Sequence, residues 1–481
     1  MQYKTISEVL QEGAAYHRQA QEAGGEMSRD ERKRIYAKAE YCYLFCLEHN
    51  AEDEIALGAL GSLYIEVGRW GLGVALLKAA CRLAPEEPAN WNALGAGYRR
   101  CHKLQEAREA FERALHLPIE AKLRAQIMHN MASTYINEGE AQKAIEWGLQ
   151  GLSHDPDNQH IKFNMGLAYL ELGDYAKGWD GYELGRIATT WARNYSHPGR
   201  VVEKWNGEPG KNVVVFGEQG VGDEILFAHA LPDIIKISKS VIIECHPRLT
   251  NIFKRSFPEC AVYGTRKDEK IDWPANHEID AKVPIGSLSR FFRRNAGDFP
   301  TYADGYIKPD PSIVGKFAGD GKRLRVGVSW IGGTRDTHVA LRSMPLETLS
   351  PILSLPGIDF VSLQYTENAK DEVEKVRSKY GWSITHDNEM NADLDQLFGC
   401  IGGLDLVITV LTSNVHFAGS MNVPTWCLTP IKAPWQFCQE TMPWYPSARL
   451  YKQTQHGQWS DVIARIANDL KGKVNERKAS D

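Results

Sequence analysis

The chain has 481 residues, 43% of them hydrophobic and 24% charged, with a net charge of −5. That length calls for two to four domains. The charge balance excludes a global basic field for nucleic acid or an anionic membrane, and no apolar run approaches the ~20 residues a membrane span needs.

The first residues, "MQYKTISEVLQEG", lack a basic stretch followed by an apolar one, so no secretory signal is expected. The nine cysteines contain no C-x-x-C pair. Cys42 and Cys46 fall on an expected helix without histidine partners in ligand spacing, which points to thiols in a reducing, cytoplasmic compartment and to no metal site.

A repeat occupies residues 1–186. Leu57 and Trp91 are 34 residues apart, as are Gly61 and Gly95, and Tyr64 and Tyr98. After three extra residues near Pro118–Lys122 the slots recur at Met128, Ala132 and Tyr135, then at Lys162, Gly166 and Tyr169. Gly73, Ala107, Ala144 and Gly178 share a slot in the second half of each copy, and Pro85, Pro118 and Pro156 close the copies. Small residues on both helices of a pair let the helices approach, tyrosine fills the groove between pairs, and proline ends the second helix. Residues 30–50 read as the second helix of an earlier, degenerate copy. The pattern resembles the tetratricopeptide repeat (TPR), which implies a surface for a peptide or protein partner. Such arrays also self-associate, so a homo-oligomer is a further expectation.

The period stops after Arg186, and residues 187–211 read as a linker rich in Gly, Pro, Asn and Trp. Apolar runs then alternate with helical patterns: "NVVVFG", a helix over about 223–239, "SVIIEC", a helix near 249–257, "AVYG", and later "LRVGVSW", "DFVSLQ", "LDLVITV" and "VPTWCLTP". Fully apolar strands alternating with helices predict parallel sheets covered on both faces. Two Rossmann-like domains follow, 212–315 and 316–472, with a polar tail at 473–481. Ligands are expected at the carboxyl ends of their strands.

Three stretches carry the candidate chemistry. In "VVVFGEQGVGDEILFA", glycines 217, 220 and 222 turn a strand into a helix, with Glu218, Gln219 and Asp223 in the turn. It is neither a dinucleotide fingerprint nor a Walker A loop. Asp223 is either a helix cap or a general base for an acceptor hydroxyl, and Glu218 reads as a hydrogen-bond partner within the loop. In "VGVSWIGGTRDTHVALRSMPLE", Ser329, Trp330 and two glycines precede Arg335 and Arg342, a combination suited to a diphosphate. In "LDLVITVLTSNVHFAG", Thr412, Ser413 and Asn414 start a helix carrying His416, again suited to an anion.

Together, "EQGVGDEILFA", "VGVSWIGG", "LRSMPLE", "DFVSLQ", "LDLVITVLTSNVHFAG" and "MPWYPSARLY" resemble the GT-B glycosyltransferases related to the bacterial heptosyltransferases, and especially their TPR-fused members. The resemblance implies an N-terminal TPR solenoid followed by a GT-B fold, with an acceptor-side half and a nucleotide-sugar half. It implies inverting sugar transfer from a nucleotide-activated donor, with no metal and no cofactor beyond that co-substrate. The base role maps to Asp223, and donor binding to Ser329, Trp330, Arg342, Gln364, Thr412, Ser413, Asn414 and His416. Glu218, Gln219, Gly220 and Gly222 map to the acceptor side. The family's loop after the "LDLVITV" strand carries an acidic residue where this chain has Leu411. The implied acceptor is a protein held by the repeats. A glycan or lipid-linked acceptor, or a scaffold with a lapsed transferase domain, are the alternatives.

Overall fold

The computed structural model describes residues 5–22, 27–186, 197, 199–268, 270–333, 339–455 and 457–480. The chain divides into two compact units, Met1–Leu172 with Asp180–Thr190, and Gly173–Trp179 with Trp191–Asp481.

The first unit is a TPR-like helical solenoid. Its helices are α1 (Ile6–Glu22), α2 (Arg29–His49), α3 (Glu54–Glu66), α4 (Trp70–Leu83), α5 (Pro88–Arg100), α6 (Leu104–Leu115), α7 (Ala121–Glu138), α8 (Ala141–His154) and α9 (Gln159–Glu171), and it takes in the end of α10 (Tyr175–Arg186). Pairing is sequential, α1 with α2, α3 with α4, α5 with α6 and α7 with α8. Pro85, Pro118 and Pro156 each stand just past the end of a second helix, as a residue without an N–H should. The small-residue slots have the expected cause. A Cβ added to Gly73 would lie 2.8 Å from the Gly61 carbonyl oxygen, and one added to Gly95 would lie 2.5 Å from the ring of Phe111. That ring is fully buried among Ala107, Ala114, Ile127 and Met131, a burial contributing about 1.5–3 kcal/mol.

The second unit contains two all-parallel sheets. The chain runs through β1 (Glu203–Lys204), β2 (Asn212–Phe216), α11 (Val221–Phe227), α12 (Leu231–Ile237), β3 (Ser240–Glu244), α13 (Thr250–Ser256), β4 (Ala261–Tyr263), β5 (Ala281–Pro284), α14 (Leu288–Phe292) and α15 (Pro311–Phe317). It continues through β6 (Leu324–Ser329), α16 (Val339–Arg342), α17 (Ser350–Leu353), β7 (Ile358–Ser362), α18 (Ala369–Tyr380), β8 (Ile384–Thr385), α19 (Asn388–Ala392), α20 (Leu394–Gly402), β9 (Leu406–Val410), α21 (Ser413–Ser420), β10 (Thr425–Thr429), β11 (Ala448–Lys452) and α22 (Ser460–Ser480). The first sheet has the order β1-β5-β2-β3-β4 and the second β11-β10-β9-β6-β7-β8. Strand order reverses beside β2 in the first sheet and between β6 and β9 in the second. At such points a crevice opens beyond the carboxyl ends of the strands.

Four expectations are corrected. Residues 187–196 and 198 of the expected linker lie outside the described residues, but its later part is structured: Glu203 and Lys204 pair with Ala281 and Lys282, and Val202 is buried. The single helix over 223–239 is broken into α11, a 3-10 turn at Ala228–Ala230, and α12, whose first turn holds Pro232. A boundary at 315/316 cuts through α15, which packs on α20 with Ile313 seated against Gly399. The tail from 473 to 480 is the last part of α22. There Val474 is buried, and Arg477 bonds Asp405 at 2.8 Å and the Gly321 carbonyl at 2.7 Å; residue 481 is outside the described set.

No helix among the described residues is long and apolar enough to cross a membrane.

Candidate active site

The candidate site lies where two strand–turn–helix units of the second unit meet. The fully buried strand β2 delivers the chain into the turn Gly217–Gly220, and α11 starts at Val221. The fully buried strand β9 delivers the chain into Leu411 and Thr412, and α21 starts at Ser413, with the Thr412 hydroxyl accepting from the Asn414 N–H at 3.1 Å. The first turns of α11 and α21 press against each other. A Cβ on Gly222 would lie 2.8 Å from Ser413 Oγ and 3.4 Å from His416 Cδ2. Gly222 is therefore there for helix contact, with Ser413 and His416 against the residue that precedes Asp223.

Asp223 occupies the third position of α11, and its carboxylate accepts from the Gly220 N–H at 3.0 Å. That bond supports the cap reading. Burial raises its pKa above the ordinary carboxylate value, and the Gly220 bond and the Arg266 charge work in the opposite direction. Arg266 is the residue that organises this turn. Its guanidinium donates to the Gln219 carbonyl and pairs with the fully buried Glu224 at 3.0 Å. Gln219 has φ +61, in the left-handed region unfavourable for a side-chain-bearing residue. Glu224 also accepts from the His246 N–H at 2.9 Å, and Gly217 leaves room for its carboxylate.

On the other side, His416 Nδ1 is 3.2 Å from the Tyr445 hydroxyl. That hydroxyl is 3.3 Å from the one on Tyr306, which donates to the Ile225 carbonyl at 2.8 Å. Burial holds His416 neutral, with its pKa lowered to about 4, and raises both tyrosines. The negative charge of Asp223 adds to the rise at Tyr445, so the acid and the His–Tyr–Tyr chain share one electrostatic environment.

Other expected site residues have different placements. Glu218 is fully buried with its carboxylate against Gly286, so it faces the interior rather than an acceptor. The ring of Trp330 is fully buried in the core of the second sheet and its indole N–H donates to Glu372, which removes it as a ring contact for a ligand. Gln364 accepts from the N–H groups of Trp330 (3.1 Å) and Ile331 (3.0 Å) and donates to the Ile331 carbonyl, fixing the turn after β6. Ser329 and Thr409 bond each other, and Asn414 donates to Ser329 and to the Leu363 carbonyl. These groups form an internal strut joining β6, β7 and α21. Gly332 lets its turn lie on the Leu411 carbonyl, and its N–H donates to Ser343 at 3.1 Å.

Arg342 is half-buried. Burial lowers its pKa, and no acid among the described residues pairs with it. Arg335 lies outside the described residues. Beside Gln364 a cavity of about 350 Å³ is lined by Tyr365, Thr366, Glu367, Asn388 and Asn391.

Sequence reasoning missed Arg266, Tyr306 and Glu224 and gave Tyr445 no role. Tyr445 stood in the quoted "MPWYPSARLY" and Glu224 next to Asp223. Arg266, in "GTRKDEK", has no periodic or motif signal.

No family model matches the chain. It is similar to protein FlbA of Caulobacter vibrioides, 27% identical over 429 residues that cover 84% of this chain and 71% of that protein. A match of that extent includes sheet-bearing sequence as well as repeats. Over 72 residues it is 36% identical to the photosystem I assembly protein Ycf3 of a Synechococcus species, covering 15% of this chain and 42% of that protein. Among solved structures, a thermophilic TPR protein of Thermus thermophilus aligns with 38% of this chain and 91% of its own, at 17% identity and a TM-score of 0.32.

Proposed function

We propose that the second unit is a GT-B-type inverting glycosyltransferase that takes a nucleotide-activated sugar, and that the repeats hold a protein acceptor. The observation that carries this reading is the meeting of α11 and α21. It sets a carboxylate of raised pKa beside a neutral His–Tyr–Tyr chain, at the carboxyl ends of strands from two parallel sheets.

In this reading Asp223 accepts the proton of an acceptor hydroxyl. The hydroxyl oxygen forms a bond to the anomeric carbon from the face opposite the leaving group. The bond from that carbon to the diphosphate oxygen breaks, and its electron pair leaves with the nucleoside diphosphate. A carboxylate whose pKa is shifted toward the working pH is a better base than a fully solvated one. The guanidinium of Arg342, which pairs with no acid among the described residues, and the N-terminus of α21 suit the charge of the departing diphosphate. The cavity beside Tyr365 suits the nucleoside.

The test is donor turnover by the full chain with UDP-, GDP-, CMP- and ADP-sugars, repeated with Asp223→Asn. Loss of the general base should reduce turnover about 10²-fold or more. Turnover unaffected by the substitution would remove Asp223 from the role.

One observation favours a second reading, a scaffold with a lapsed site. Leu411 is buried where the resembling family has an acid, and Ser329, Thr409 and Asn414 are engaged with one another. Calorimetry with the same four donors separates the two, because absence of heat for all four supports the scaffold.

A further inference from the structure

The cation that reaches the turn before α11 comes from another part of the first sheet. The Arg266 N–H donates to the Cys245 carbonyl at 3.2 Å, and the Cys245 N–H donates to the Tyr263 carbonyl at 2.9 Å, so the segment after β4 is tied to the end of β3. The turn is tied to the same strand end, since the Gly217 N–H donates to the Glu244 carbonyl at 2.6 Å. Between these anchors one terminal nitrogen of the guanidinium donates to the Gln219 carbonyl and lies 3.0 Å from the fully buried carboxylate of Glu224. The other oxygen of Glu224 accepts from the His246 N–H at 2.9 Å, which fixes the acid in place.

Two effects of Arg266 meet at Asp223. The first is geometric. Gln219 has φ +61, a conformation that a residue with a Cβ keeps only when it is held, and the bond to its carbonyl holds it. The next residue, Gly220, gives its N–H to Asp223 at 3.0 Å. The second effect is electrostatic. Helix α11 packs on α21, on the 3-10 turn Ala228–Ala230 and on the 3-10 turn Ile285–Ser287. These bring His416 with Tyr445 beside it, then His229, then no ionisable side chain. Burial keeps both histidines neutral and the tyrosine protonated. Glu218 and Glu224, both fully buried, are the acids of the turn and helix themselves. Arg266 is the cation that opposes the effect of burial on Asp223.

We propose that Arg266 is a positioning residue for the transfer step, which holds Gln219 in the left-handed turn on which Asp223 is set and acts through that acid rather than on the substrate. The inference rests on the transferase reading above, since it assigns the base of that reaction its support.

Turnover of the UDP-, GDP-, CMP- and ADP-sugars by the full chain, followed across pH, tests it. Arg266→Gln alone would leave Glu224 buried and unpaired, so it is combined with Glu224→Gln and compared with Glu224→Gln alone. Loss of the guanidinium should lower kcat about tenfold at neutral pH with little change in KM for the donor. It should also move the acid limb of the pH profile upward, because a carboxyl without its cation is harder to ionise and the base works only when ionised. Adding Gln219→Gly should return part of kcat, since glycine takes the left-handed turn unaided, and should leave the limb displaced. An arginine that merely supports the fold would not move the limb. Should the combined variant fail to fold, Arg266→Lys takes its place: the charge is kept, so the limb should stay while kcat falls, and Gln219→Gly should again return rate. An unmoved limb in the combined variant, a displaced limb in the lysine variant, or no return of rate with Gln219→Gly overturns the proposal and leaves the transferase reading standing. No turnover of any donor by the unsubstituted chain overturns both.

Discussion

Asp223 is a side chain whose burial works against stability, and under the proposed transferase reading the same shift favours its role as base. Burial raises its pKa, so the folded chain disfavours the ionised form relative to the unfolded chain. The sign follows from linkage. A carboxyl with a raised folded pKa supports the fold while protonated, below its unfolded pKa, and loses that contribution as pH rises through the folded pKa. Asp223→Asn keeps an acceptor for the Gly220 N–H and removes the charge. It should therefore raise the thermal midpoint at pH 7, with the gain vanishing once pH falls below the ordinary aspartate value. Scanning calorimetry across that range checks it, and a lower midpoint for the variant at pH 7 would contradict the assigned burial penalty. Residue type alone announced Asp223 but not its surroundings. Glu218, Trp330 and Gln364 were equally legible as polar or aromatic residues beside strand ends, yet each turns inward. Which way a side chain points depends on packing from distant elements, here Gly286, Glu372 and the Trp330–Ile331 backbone.

Among the elements, the contact between α11 and α21 is built on a missing side chain. A methyl group at Gly222 meets Ser413 Oγ at 2.8 Å and Ser413 Cβ at 3.2 Å, and both helices are tied to buried strands. Gly222→Ala should cost about 1–3 kcal/mol, and Ser413→Gly in the same chain should recover much of the loss. Urea unfolding of the two single variants and the double variant measures the coupling. Additive losses would show that the helices do not meet through this pair. Elements themselves were read unevenly. Seven of the strands stood out as apolar runs, because strands buried on both faces have little polar residue to interrupt them. The others did not. β1 and β8 have two residues each, β5 carries Lys282, and β11 alternates polar and apolar residues at a sheet edge. The solenoid was legible through its 34-residue period, since the same slots must be small or aromatic in every copy.

On the scale of the whole molecule the two units differ in how far apart in sequence their partners lie. Each solenoid helix packs on the helix beside it in the chain, while β6 finds its neighbour β9 across a separation of 80 residues, as in the Ser329–Thr409 bond. That pairing sets a clock. The solenoid can acquire order piecewise, as soon as two adjacent helices exist, whereas the second sheet has to close a long loop before β9 rewards it. During refolding, pulsed hydrogen exchange should find amides of α3–α8 protected before those of β6 and β9, and simultaneous protection would show the two units folding as one. A ribosome making this chain would have released an ordered repeat array well before the strand that completes the centre of the second sheet is even synthesised.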